Sequence, residues 1–119
     1  MPIFSPEALD DVVDARHHER MRESLRPLLT PELISEHARQ PFGQHSDALQ
    51  RVLNYLGRFP VPGKLICEYG GDENWFVCRL VDDAGLRAAR VAGPFPTEAA
   101  AIDAVFRQRL HEIFGVATG

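Results

Sequence analysis

The sequence contains little of what several classes of protein depend on. Two cysteines are too few for a disulfide framework. No stretch approaches the roughly 20 consecutive apolar residues of a membrane-spanning helix. The residues after Met1 lack the basic flank and the apolar run of a secretory signal peptide. We therefore expect a cytoplasmic protein with no membrane partner.

Positive charge is also scarce. The formal net charge is −4 at pH 7, and Lys64 is the only lysine among 13 basic residues. Because nucleic-acid-binding domains normally carry a basic surface, we expect no nucleic-acid partner. Phosphate-binding signatures are missing as well, since neither GxGxxG nor GK[ST] occurs.

The length of 119 residues and the apolar content of 45% suit one globular domain. We expect a single domain over residues 1–119. The N-terminal helix, within residues 1–30, has a polar middle that leaves it free to extend onto a partner. Residues 31–119 are expected to form a compact α+β core.

Capping residues indicate three helix starts. Ser5, Thr30 and Thr97 each stand before a proline or a glutamate, as helix N-caps often do. Together with the apolar spacing they predict helices over about 6–26, 32–39, 47–58 and 98–114. Gly115 is the predicted C-terminal cap of the last helix.

Strand patterns fill the region between the third helix and the last. Lys64–Tyr69 and Asn74–Val81 flank a Gly-Gly-Asp-Glu turn, and a third strand is expected near Leu86–Ala92. A two-residue turn at Gly71 and Asp72 fixes the register. One face then carries Leu65, Cys67, Phe76, Cys78 and Leu80, and the other carries Ile66, Glu68, Trp75, Val77 and Arg79. An error of one residue in the loop would exchange the faces of one strand relative to the other.

The order of elements predicts an α+β fold. N-terminal helices precede a three-stranded antiparallel meander, and the C-terminal helix packs on the sheet. Nine residues are expected in the structural core: Phe42, Leu49, Leu53, Leu56, Trp75, Phe76, Ile102, Phe106 and Leu110.

The third helix has a wider apolar arc than one sheet requires. One stripe runs along Leu49 and Leu56, and a second runs beside it along Tyr55 and Phe59. Either two elements of this domain cover the arc, or another chain does. In the second case the hypothetical subunit interface consists of Arg51, Val52, Tyr55, Arg58 and Phe59. In the first case Tyr55 and Phe59 cover the edge of their own sheet.

The histidines do not indicate a metal site. His17 and His18 are adjacent on a helix and point about 100° apart, so they do not suit one ion. His37 and His45 bracket the loop 41–43 and are expected to cap it or hydrogen-bond to it. We predict no metal-ligating residue in this chain.

The cysteines do not indicate a catalyst either. Cys67 and Cys78 are expected to lie diagonally on one sheet face, too far apart for a disulfide, as buried free thiols. No close pair of carboxylates stands out for general acid–base catalysis. From its residues alone, we predict no catalytic or cofactor-binding residue in the chain.

A further set of residues is not explained by helix or strand patterns. In chain order these are Glu36-His37-Ala38, Pro41-Phe42-Gly43, Leu49-Gln50-Arg51-Val52, Asn54-Tyr55, Gly63-Lys64, Trp75, Arg79, Thr97-Glu98, Ala104-Val105-Phe106 and Arg109. In this combination the chain resembles the small (alpha) subunit of N,N-dimethylformamidase over most of its length. It departs from that family in a shorter N-terminus and at Leu65-Ile66-Cys67, where the family is richer in tyrosine.

The resemblance implies a hetero-oligomeric amide hydrolase with a small and a large chain, of α2β2 or higher composition. In this family the large catalytic chain holds a mononuclear iron bound by tyrosine and glutamate. The small chain supports the folding and assembly of its partner. The complex is then expected to convert N,N-dimethylformamide and water to dimethylamine and formate, with no iron ligand from this chain.

The residues leave a second possibility open. The chain can instead be a free-standing α+β interaction domain that binds a peptide or forms a homodimer, with no enzyme partner. A neighbouring gene for a much larger amidase chain would favour the subunit, and an isolated gene would favour this alternative.

Overall fold

The computed structural model describes residues 6–58, 64–82 and 87–116. The elements are α1 (Pro6–Leu25), a 3₁₀ turn (Arg26–Leu28), α2 (Pro31–Arg39), α3 (Asp47–Leu56), β1 (Leu65–Gly71), β2 (Asn74–Leu80), β3 (Ala88–Phe95) and α4 (Glu98–Phe114). The strands form one antiparallel sheet in the order β1-β2-β3, and α4 packs on it. The predicted α+β fold is therefore confirmed. Among the helices that the structure describes, none combines the length and the apolarity needed to cross a bilayer.

Side-chain caps determine where two of the predicted helices begin. The Thr30 hydroxyl accepts a hydrogen bond from the Leu33 amide at 3.2 Å, and the Thr97 hydroxyl accepts one from the Ala100 amide at 3.1 Å. α4 ends at Gly115, whose φ of 72° is a left-handed conformation that glycine adopts without a side-chain clash. These three caps agree with the prediction, whereas the predicted Ser5 cap of the first helix lies outside the described residues.

The hairpin between β1 and β2 turns one residue later than predicted. Its turn residues are Asp72 and Glu73, which both have left-handed backbone conformations, with φ of 53° and 60°. Gly71 then pairs with Asn74, and an irregularity at Gly70 shifts the register. Because side chains alternate along a strand, this shift exchanges the faces of β2 relative to β1. The predicted turn, and the two faces derived from it, are therefore wrong.

The corrected register separates the two cysteines. The face toward α4 carries the cross-strand partners Leu65, Cys67, Tyr69, Trp75, Val77 and Arg79. Cys78 pairs with Ile66 and therefore points to the opposite face. Both thiols are free, but the expectation that they share a face is wrong.

Helix α4 takes part in two hydrophobic clusters. Phe106 and Leu110 pack with buried residues of α1, α2 and α3, which we call the helical cluster. On another side of the same helix, Val105 packs against Leu65 and Val77 of the sheet. One helix thus joins the helical cluster to the sheet, and its position determines where both lie.

The predicted core residues fall into three groups. Nearly complete burial is found for Leu49, Leu56, Phe106 and Leu110. Partial burial is found for Leu53, Trp75, Phe76 and Ile102. Phe42 is 49% exposed, so its assignment to the core is corrected. Phe42 lies in the loop between α2 and α3. A polar contact closes this loop, because His45 Nε2 lies 2.9 Å from the Gln40 carbonyl oxygen.

Polar side chains cover part of the sheet face that points away from α4. The ring of Phe76 lies against Gly70 and Gly93 on the two flanking strands, and a Cβ atom at Gly93 would stand 2.8 Å from it. The Arg90 guanidinium lies over the ring, 4.0 Å from its centroid, and donates two hydrogen bonds to Glu68 Oε1, at 2.9 and 2.7 Å. The two glycines therefore make room for an aromatic ring that an ion pair shields from solvent.

Candidate functional site

The broad apolar arc of α3 is covered by other parts of the same chain. Val52 is 0% exposed and Tyr55 is 1% exposed, within the helical cluster. The Tyr55 hydroxyl donates to the His18 carbonyl oxygen at 3.4 Å, and its ring lies 5.9 Å from that of Phe114. The expectation that Val52 and Tyr55 face outward to a partner is therefore corrected, because α1 and α4 bury them in this chain's own core.

The other three residues of that hypothetical interface differ from one another. Arg51 and Arg58 are exposed, one on the outer side of α3 and the other just after its end. Phe59 lies outside the described residues. A contact between these arginines and a partner stays a prediction.

A buried histidine joins α2 to α4. The His37 side chain is 2% exposed, and its Nδ1 atom lies 2.8 Å from Asp103 Oδ1. Its ring is stacked on Phe106, with the centroids 4.0 Å apart. Burial lowers the pKa of His37 below its ordinary value, although the hydrogen bond that His37 donates to Asp103 acts in the other direction. The neutral imidazole therefore donates its Nδ1 proton to the carboxylate. His37 was expected to cap the loop 41–43 or to hydrogen-bond to it, but its Nδ1 hydrogen bond goes to Asp103 on α4.

The carboxylate of this pair has a second partner on its own helix. Arg107 Nε donates to Asp103 Oδ2 at 2.8 Å, one helical turn away. Asp103 thus bonds both to the partly exposed Arg107 on its own helix, α4, and to the buried His37 on α2.

The residue before His37 holds the start of α3. Glu36 accepts hydrogen bonds from the Ser46 amide and the Ser46 hydroxyl, both at 2.7 Å, and these bonds lower the pKa of Glu36. The same hydroxyl accepts from the Leu49 amide at 3.2 Å and so caps α3. Sequence reasoning missed this arrangement, although a serine before Asp47 is itself a capping signal.

Two arginines tie α4 to the sheet. Arg109 donates to the Leu65 carbonyl oxygen at 2.9 Å, on the outer strand β1. Arg79 of β2 pairs with Glu112 of α4. The motif residues Glu36, His37, Arg79 and Arg109 thus all make contacts within the chain.

The described residues offer little for chemistry. In the ranges that the structure describes, no group of three or more His, Cys, Asp or Glu side chains could hold a metal ion. Burial raises the pKa of both thiols, Cys67 and Cys78, which makes them weaker nucleophiles at neutral pH. The His37–Asp103 pair has the geometry of an oriented base, but the imidazole lies in the core, out of reach of a substrate.

The corrected register brings three aromatic side chains into line. Tyr69 lies opposite Trp75, and Trp75 lies opposite Phe95 on the third strand. We call these three residues the aromatic row. The rings of Tyr69 and Trp75 have centroids 5.1 Å apart, and Tyr69 is 56% exposed. Sequence reasoning missed the row because its register put Tyr69 opposite Asn74. Only the turn at Asp72 and Glu73 together with the register shift at Gly70 places Tyr69 opposite Trp75.

The fold and these contacts define a class: a small α+β chain whose distinctive residues hold its own elements together. Comparison with known proteins gives the family. The family model for the N,N-dimethylformamidase alpha subunit matches residues 12–118. The chain therefore belongs to the N,N-dimethylformamidase alpha subunit family, as its resemblance to that family indicated.

Two curated relatives carry the same name. The N,N-dimethylformamidase alpha subunit of Paracoccus aminophilus is 34% identical over 88 residues, which cover 70% of this chain and 61% of the relative. That of an Alcaligenes species is 31% identical over 106 residues, which cover 83% of this chain and 79% of the relative. The chain thus spans less than two thirds of the Paracoccus protein in this alignment.

Proposed function

We propose that this chain is the non-catalytic small subunit of an N,N-dimethylformamidase-like amide hydrolase. Its role is to support the folding and assembly of a large catalytic subunit. The observation that supports this most is the family match over residues 12–118, in a chain whose motif residues make contacts that hold its own elements together. Residues engaged in this way contribute to shape rather than to a reaction.

The contacts of the motif residues support the non-catalytic part of the proposal. Glu36 caps α3 through Ser46, and His37 is buried against Asp103. Catalytic side chains need access to a substrate, and they concentrate in clefts. His37, at 2% exposure, has no such access.

The shape of the chain supports a partner. Its accessible surface is 7885 Å², whereas a compact monomer of this mass exposes about 6,500 Å². The radius of gyration is 16.6 Å, against about 13.5 Å for a compact chain of this length. An obligate interface of about 2,000 Å² takes about 1,000 Å² from each partner. The surface of this chain is large enough for an interface of that size.

The reaction belongs to the assembled enzyme in this proposal. The complex would hydrolyse N,N-dimethylformamide, or a related small amide, to dimethylamine and formate. A mononuclear iron, assigned to the large chain, would supply Lewis-acid chemistry there. This chain would contribute no iron ligand, and we expect a hetero-oligomer of α2β2 or higher composition.

Co-purification tests the proposal. A tagged form of this chain is expressed together with the proposed large chain, and mass, iron content and dimethylamine release are measured for the complex and for each chain. We expect a hetero-oligomer with activity and iron, while this chain alone has neither. Recovery of this chain alone, monodisperse at its own mass, would contradict the proposal and favour the free-standing domain.

A variant tests the non-catalytic role within the complex. His37→Phe keeps an aromatic ring against Phe106 and removes both ring nitrogens. We expect the purified variant complex to keep the wild-type kcat, because His37 does not touch the substrate. A drop of 100-fold or more in kcat, with the complex intact, would show that this chain takes part in the reaction.

A further inference from the structure

The aromatic row differs from the other exposed apolar residues of the chain. Phe42, Val81 and Val91 are each about half exposed, but each belongs to a different part of the surface. Single exposed apolar residues are normal in soluble proteins. Tyr69 and Trp75 are instead in ring contact, and Trp75 lies opposite Phe95; Tyr69 is exposed, whereas Trp75 and Phe95 are half-buried beside it.

The opposite face of the sheet offers no comparable patch in the described residues. There the ring of Phe76 is shielded by Arg90, which is in turn paired with Glu68. The row, on the face toward α4, has no such cover over Tyr69, which is 56% exposed. The Tyr69 hydroxyl lies 3.4 Å from the Glu73 amide, from which it accepts a hydrogen bond that orients the ring at the hairpin.

The turn and the helix start beside the row are acidic. Asp72 and Glu73 form the turn beside it, and Glu98 starts α4 three residues after Phe95; all three are exposed. The segments 69–75 and 94–98 contain no lysine, arginine or histidine. A partner that covers the row would therefore be complementary if it carried basic side chains around an apolar centre.

We propose that the aromatic row is the surface on which the large subunit docks, with basic side chains of that subunit over the acidic rim of Asp72, Glu73 and Glu98. This inference rests on the proposed function and adds to it the place of contact. Tyrosine and tryptophan are enriched at the energetic centres of interfaces, since they bury a large area with few rotatable bonds. The row contains the only tryptophan of the chain and one of its two tyrosines.

Affinity for the large subunit tests the row directly. The full-length chain is immobilised, and the dissociation constant of the purified large chain is measured for wild type, Tyr69→Ala and Phe42→Ala. Phe42 is the matched control, because it is also an aromatic residue about half exposed. We expect Tyr69→Ala to raise Kd about 10- to 100-fold and Phe42→Ala to leave it within about twofold. Equal effects of the two variants would overturn the proposal.

Charge reversal tests the rim. Glu73→Lys is compared with Glu32→Lys, an exposed glutamate at the start of α2. We expect Glu73→Lys to weaken binding and to reduce its dependence on salt, because a rim charge acts mainly through long-range attraction. Glu32→Lys is expected to change neither. Tighter binding by Glu73→Lys would overturn the assignment of a basic partner.

Photo-crosslinking tests the contact directly, without depending on whether an alanine variant folds. The crosslinking amino acid p-benzoylphenylalanine is placed at position 69 or at position 42, and circular dichroism checks that each chain is folded. Crosslinks to the large chain from position 69, and none from position 42, would support the proposal. Crosslinks from position 69 to a second copy of this chain would instead identify the row as a homodimer contact and overturn it.

The outcomes separate this inference from the function on which it rests. If the wild-type chain does not bind the large chain at all, both fail. If it binds with wild-type affinity after Tyr69→Ala and position 69 gives no crosslink, the subunit function stands and the docking surface lies elsewhere.

Discussion

Replacing His37 with phenylalanine isolates the energy of one polar contact in the core. Phenylalanine preserves the stack on Phe106, whose ring centroid lies 4.0 Å from that of His37, but it cannot donate to Asp103. A buried hydrogen bond to a charged acceptor contributes about 1.5–3 kcal/mol. Since Asp103 keeps its bond to Arg107, we expect the lower end, a loss of about 1.5 kcal/mol in the free energy of unfolding at pH 7.5.

The same variant should also change how stability depends on pH. Burial lowers the pKa of His37 in the folded chain, while the unfolded chain titrates near the ordinary value of about 6.5. The groups facing the ring are the carboxylate of Asp103, which raises the pKa, and His45 and Arg107, which lower it. As the pH falls below about 6.5, the unfolded state therefore binds a proton that the folded state does not.

The sign of the effect follows from this difference in proton uptake. The contribution of His37 to the free energy of unfolding of the wild type is fully present above about pH 6.5. As the pH falls from there toward the folded-state pKa of His37, the free energy of unfolding decreases by at most about 1.4 kcal/mol per pH unit. The phenylalanine variant lacks this loss. We therefore expect its stability to approach that of wild type as the pH falls from 7.5 to 5.5.

Urea unfolding of the full-length chain, followed by far-ultraviolet circular dichroism, measures both effects. The control is His17→Phe, the same substitution at an exposed histidine of α1. Curves for wild type and His37→Phe that stay parallel between pH 7.5 and 5.5 would refute this reasoning, as would equal stability at pH 7.5.

Two further predictions concern the turn and cap residues. Ser46→Ala removes both the cap of α3 and the hydroxyl contact with Glu36, so we expect a loss of about 1–2 kcal/mol in urea unfolding; Ser35→Ala, at an exposed position within α2, should cost less than about 0.5 kcal/mol. Gly93→Ala would put a Cβ atom 2.8 Å from the Phe76 ring at a φ of 119°, and we expect it to cost about 2–4 kcal/mol. Gly71→Ala, at a φ of 87° with open space around the Cβ position, should cost about 1–2 kcal/mol because only the backbone strain is present; equal losses for the two glycine variants would count against the packing explanation.

Local signals in the sequence were sufficient for the elements and their order. Thr30, Thr97 and Gly115 act through bonds to residues within a few positions, so their roles can be recognised from sequence alone. The register of the hairpin could not be recognised in this way. It depends on Asp72 and Glu73 adopting left-handed conformations, which glycine would have been expected to take instead.

Contacts between distant parts of the chain were the other source of error. Tyr55 is buried by α1 and α4, and its periodicity on α3 gives only the direction in which it points, not what lies there. His37 bonds a residue 66 positions away, and no local pattern connects the two. The motif that contains His37 is nevertheless recognisable in the sequence, because it belongs to the set of residues that resembles the alpha subunit family.

Because α4 contributes side chains to both hydrophobic clusters, damage to either is transmitted to the other. A substitution such as Val105→Ala would weaken the packing of α4 on the sheet. Leu110, on another side of the same helix, packs in the helical cluster. Destabilising substitutions in one cluster are therefore expected to weaken the other, and substitutions that stabilise α4 are expected to stabilise both.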